Sequence, residues 1–87
     1  MRAIKNQIKE VIDFTSVSSV MEADEKFDLY LNHIKDAFKR MRRTTNWTMR
    51  DATYIYDFAI SVLTDRYVEA LLKLDKFARS NYKFFNE

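Results

Sequence analysis

Ile4, Ile8, Val11 and Ile12 recur at i, i+4, i+7 and i+8, with Lys5, Lys9, Glu10 and Asp13 between them. That period draws one apolar stripe along a helix and predicts an amphipathic helix over 2–14. The run Thr15-Ser16-Val17-Ser18-Ser19 breaks it, because its hydroxyls compete for backbone hydrogen bonds and its valine is β-branched. Ser19 followed by Glu22 has the form of a capping box that starts a second helix. Phe27, Leu31, Ile34, Phe38 and Met41 then alternate spacings of four and three, a coiled-coil-like seam that predicts a helix over 20–43. Its acids, Glu22, Asp24 and Glu25, come first and its cations, Lys39, Arg40, Arg42 and Arg43, come last, as the helix dipole favours.

A second break, Thr44-Thr45-Asn46-Trp47-Thr48, ends in a residue placed to cap Asp51. From there to about residue 84 nothing interrupts the helical pattern. A continuous helix over 49–84 would be roughly 54 Å long, whereas a compact chain of this size has a radius of gyration of about 12 Å. The third helix is therefore expected either to bend near Thr64-Asp65-Arg66 or to project and need a partner. Its first half carries Ala52, Ile55, Tyr56, Phe58, Ala59, Ile60, Val62 and Leu63 on an arc wide enough for two neighbours. In its second half Tyr67, Val68, Ala70, Leu71, Leu72, Leu74 and Phe77 form another broad arc, rotated from the first, for which a single short chain has too few helices.

With 87 residues the chain is expected to be one domain, 1–87. It has no glycine and no proline, so few turns are expected and motifs that need glycine, such as phosphate-cradling loops and dinucleotide fingerprints, are excluded. Without cysteine there is no disulfide, thiolate nucleophile or cysteine-ligated zinc, and the single histidine, His33, rules out two His ligands from one chain. No metal, cofactor or catalytic residue is expected. The residues before Phe14 have charges every few positions and no apolar core of a signal peptide, and no 18-residue apolar run occurs, so neither a cleaved leader nor a transmembrane helix is expected. A cytoplasmic location follows as the simplest expectation. The balance of Phe, Tyr, Ile, Asn and Lys over Gly, Ala, Arg and Pro favours AT-rich codons, as in a large lytic phage or a low-GC bacterium, and with the small size directs the expectation toward a phage-type accessory protein in a host cytoplasm.

Residues 39–50 hold five cations, no acid and one tryptophan. Arg42, Arg43 and Arg50 have the chemistry to neutralise phosphates and Trp47 to stack on a base, which makes nucleic-acid binding the alternative function. The same residues read structurally as a cation-decorated helix end with a tryptophan closing the core. Net charge is only +2, and Asp51 and Asp57 follow at once, so the basic run is not a domain-wide surface. Glu22, Asp24, Glu25 and Asp28 read as an acidic first turn, and the Glu-x-x-His of di-iron bundles is missing because Tyr30 stands three residues before His33. Lys5 and Lys9 on the first helix fit packing on a bundle better than a membrane surface, since acids share the polar face.

The sequence thus predicts an all-α protein, a small antiparallel three-helix bundle with a long C-terminal helix, assembled as a homo-oligomer. Its expected function is non-catalytic: a regulatory or adaptor module that binds itself and a protein partner not identified by the residues. Val68, Leu72, Phe77, Tyr82 and Phe85 are the expected self-association residues. Arg42, Arg43, Trp47 and Arg50 form the expected partner surface, because exposed aromatic and arginine side chains dominate interface energetics. An exposed surface of this kind, and not a pocket, is expected to carry the function.

Overall fold

A computed structural model of the chain describes residues 2–44 and 46–86, with side chains through Phe77. Three helices make up the architecture: α1 (Arg2–Val11), α2 (Val20–Arg43) and α3 (Met49–Asn86). There is no strand among the described residues. Of the sequence-predicted surface residues, Tyr82 and Phe85 have side chains outside the described ones.

The caps follow local chemistry. Ser19 is extended, at φ −147° and ψ 159°, and its side chain accepts the Glu22 N–H. Glu22 reaches back one residue further than a regular capping box requires, taking the Ser18 N–H and hydroxyl at 3.1 Å each. At the start of α3 the Thr48 hydroxyl accepts the Asp51 N–H at 3.0 Å. Between these helices Thr44 closes α2 by donating both its N–H and its hydroxyl to the Met41 carbonyl, at 3.3 and 3.1 Å.

The first helix stops at Val11, three residues short of the sequence expectation. The donors that would extend it are engaged elsewhere. The Asp13 N–H bonds the Tyr30 hydroxyl at 3.2 Å, and the Thr15 N–H bonds the Asp13 carboxylate at 2.9 Å. The acceptors are drawn away as well: the Asp13 carbonyl takes Tyr30 Oη and Lys26 Nζ at 3.1 Å each, and the Ile12 carbonyl takes an Arg66 guanidinium N–H at 2.9 Å. Freed from the helix, Ile12 and Phe14 turn inward and are 3% and 7% exposed. The connection is thereby part of the core.

That core joins Ile12, Phe14, Ala23, Leu63 and Ala70, with Ile8, Val17, Phe27, Tyr30, Leu31, Ile34, Val62, Tyr67 and Leu71 packed around them. Phe14 lies 5.6 Å from the Tyr30 ring and 6.2 Å from the Tyr67 ring, at tilted and edge-on angles that aromatic quadrupoles favour. Climbing α1 climbs α3: Lys5 sits at Tyr54 and Phe58, Lys9 at Phe58, and Ile12 at Arg66. Climbing α2 descends α3, since Asp24 and Phe27 meet Tyr67 whereas Phe38 meets Tyr56.

At 38 residues α3 is one unbroken helix, about 57 Å long, and nothing interrupts it at 64–66. The radius of gyration is 16.7 Å and the longest dimension 63 Å, so of the two sequence alternatives the chain adopts projection. Part of the second α3 arc is nonetheless covered. Ala70 is buried and Tyr67, Leu71 and Leu74 are half-buried, because Phe14 and Val17 of the connection and the first turns of α2 supply the cover that the helix count alone could not.

Candidate interaction surfaces

Both α1 and α2 rest on α3, yet among the described residues no Cα of α1 comes within 8 Å of one in α2. The gap is an open groove of about 230 Å3. Ile4, Ile8 and Val11 form one wall, Ile34, Phe38 and Met41 the other, and Ile55 and Ala59 the floor. Gln7, Tyr30, the exposed His33 and Tyr56 are its polar lining residues, and the rest of the lining is apolar. The sequence pattern does not by itself indicate this groove. It comes from the unequal lengths of the first two helices: a 10-residue helix leaves much of a 24-residue seam uncovered.

The basic residues of 39–50 gather at one end of the molecule. Arg42, Arg43 and Arg50 are exposed and Trp47 is half-buried. Lys39, Arg42 and Arg43 border a shallow depression, and the Arg42 guanidinium lies 5.8 Å from the Phe38 ring centroid. The fold adds Arg2 and Lys5 to this end, because α1 begins where α2 finishes: Lys5 donates to the Tyr54 hydroxyl and lies 4.5 Å from the centre of its ring. The lysine thus accounts for Tyr54, one of the aromatics a monomer core would have difficulty burying, by covering a side chain that stays 47% exposed. The acids of α2 are displaced toward the opposite end, where Asp24 bonds Tyr67 at 2.5 Å.

Along the far half of α3, Val68, Leu72 and Phe77 are 45%, 64% and 67% exposed. They do not share a face. At about 100° per residue Val68 and Leu72 are roughly 40° apart, whereas Phe77 is about 140° from Leu72. Phe77 instead lies within about 20° of Ala70 and Arg66. Among the described residues no cluster of His, Asp or Glu converges as a metal site would require, and no helix is long and apolar enough to cross a membrane.

Two titrations belong to the junction of the connection with α2 and α3. The Thr15 N–H holds the Asp13 carboxyl below its ordinary pKa, helped by the charges of Lys26 and Arg66. The hydrogen bond to Asp24 raises the Tyr67 hydroxyl above its ordinary value, with desolvation and the Asp24 and Asp28 charges adding to it. A depressed carboxyl contributes stability above its unfolded pKa, near 4, and loses it as pH falls through the folded value. A raised phenol contributes below its unfolded pKa, near 10, and loses that contribution as pH rises through the folded value. Thermal midpoints measured across pH are therefore expected to fall at both extremes. Asp13→Asn should flatten the acid limb and Tyr67→Phe the alkaline limb; limbs that neither substitution alters would refute the assignment.

No protein-family model matches this chain, and no curated protein or solved structure is significantly similar to it.

Proposed function

We propose that the chain is a small non-catalytic protein–protein interaction module: an antiparallel three-helix bundle that associates with itself and serves a protein partner in a regulatory or adaptor role. The observation that carries this reading is the reach of α3. Along its far half Val68, Leu72 and Phe77 are between 45% and 67% exposed on two sides of the helix, apolar side chains that a second copy or a partner would cover. The opposed order of contacts along α1 and α2 supports the antiparallel arrangement. The groove supports the interaction role. At about 230 Å3 it is smaller than the roughly 300 Å3 at which small-molecule pockets begin, and its open apolar walls suit a few side chains of a protein. Coding bias alone supports a viral source, and the reading does not depend on it.

Sedimentation equilibrium at micromolar concentration tests the self-association. A mass above the 10.5 kDa of one chain, rising with concentration, is expected. A mass of one chain throughout the range would overturn it.

A further inference from the structure

The charges of the fold are divided unevenly between its ends. The segments 2–9 and 35–57 meet where α1 starts, α2 stops and α3 starts, and they hold nine lysines and arginines against Asp36, Asp51 and Asp57. Over 10–34 and 58–77 stand nine acids against four lysines and arginines. Arg2, Lys39, Arg40, Arg42, Arg43 and Arg50 are all exposed, and among the described residues none of them is paired with a carboxylate. Two apolar side chains stand among these cations at the turn from α2 to α3: Met49, 56% exposed, and the half-buried Trp47. From this end the molecule extends as a rod, 63 Å long and 21 by 17 Å across.

We propose that this end docks on an anionic lipid bilayer, with Trp47 and Met49 entering the headgroup layer and the cations around them neutralising lipid phosphates and carboxylates. Charge complementarity supplies the attraction, since each lysine or arginine held near an anionic bilayer adds to binding. Lys39, Arg42 and Arg43, at i, i+3 and i+4, border a depression of about 280 Å3 with no acid in its lining, a place for one headgroup phosphate gripped by guanidinium forks. The apolar tip separates this occupant from nucleic acid. A nucleic-acid strand is held by a groove that follows its phosphates, with aromatic faces laid open to successive bases. Here the cations collect on the narrow end of a rod, and the exposed apolar side chain among them is a methionine, which has no hydrogen to donate to a base. An end suits a plane, and the headgroup layer is where an amphipathic tryptophan ring is most stable. Docked in this way, the acidic part of the bundle faces away from the bilayer. The third helix then carries Leu72 about 35 Å from Met49, out from the surface.

Docking of this end is independent of self-association and extends the proposed interaction role to a bilayer surface. Trp47 is the one tryptophan of the chain, so its emission reports on this end alone. Vesicles of equal parts phosphatidylserine and phosphatidylcholine are expected to shift that emission to shorter wavelength and to carry the protein down on sedimentation at low salt. Phosphatidylcholine alone should do neither, and added salt should release the protein by screening. Arg42→Gln combined with Arg43→Gln is expected to weaken vesicle binding about twentyfold, roughly fivefold for each cation removed. Lys73→Gln combined with Lys76→Gln removes the same charge from the far half of α3 and should leave binding near wild type. All four side chains are exposed, so both double variants should keep the fold, which far-UV circular dichroism checks. Failure to bind the phosphatidylserine vesicles, equal binding to phosphatidylcholine alone, or equal losses in the two double variants overturns the proposal. Mixed-sequence DNA or RNA that displaces the protein from the vesicles at equal concentrations of anionic charge also overturns it, and assigns the end to nucleic acid. None of these results alters the mass measured by sedimentation equilibrium, which tests self-association separately.

Discussion

Phe14→Ala is expected to lower the unfolding free energy by about 3–5 kcal/mol, the usual cost of deleting a buried phenylalanine. The ring is 7% exposed and touches both Tyr30 and Tyr67, so its removal leaves a cavity where the connection, α2 and α3 meet. A domain of this length has a total stability of roughly 4–13 kcal/mol, and the loss is therefore a large share of it. Urea unfolding followed by circular dichroism measures the effect. Protein concentration must be held fixed, because an associating protein gains stability with concentration. A loss under about 1 kcal/mol, as for a surface position, would mean that the connection only bridges two helices and does not belong to the core.

Leu63→Ala should cost about 2–5 kcal/mol, the range for a leucine deleted from a packed interior. Leu63 is the one large side chain among the described residues with no exposure. It belongs to the same buried cluster as Ile12, Phe14 and Ala23, so neighbours from the connection and from α2 would have to move together to fill the space. Leu72→Ala, nine residues further along the same helix and 64% exposed, is the matched control and should stay within about 0.5 kcal/mol at concentrations where the chain is monomeric. Equal effects at the two positions would show that the face of α3 buried in the bundle has been wrongly assigned.

Tyr67 shows how one residue serves several levels of the structure. Its ring packs on Phe27 at 4.8 Å and on Phe14, and its hydroxyl fastens Asp24 in the early part of α2. These contacts bring α2 to the level of α3 where the connection can close over it.

What could be read without the fold was whatever depends on nearby residues. The seam from Phe27 to Met41 follows from spacings of three and four, and the caps at Ser19 and Thr48 follow from side chains that reach a backbone N–H three residues away. The end of α1 is not legible locally because Ile12 and Phe14 continue an apolar pattern as a helix would, while the groups that unwind it, Tyr30 and Arg66, stand 17 and 54 residues away. The Asx turn from Asp13 to Thr15 is a local contribution to the break. Likewise the cations of 39–50 were visible as a run, but that Arg2 and Lys5 join them depends on which end of α3 receives α1. The exposed apolar load of α3 was legible from its length and pattern. The division between Phe77 on one side and Val68 with Leu72 on another follows from the same period, whereas the burial of Leu63 and Ala70 was decided by where α1, α2 and their connection pack, since periodicity shows which residues share a stripe and only long-range packing selects which stripes are covered.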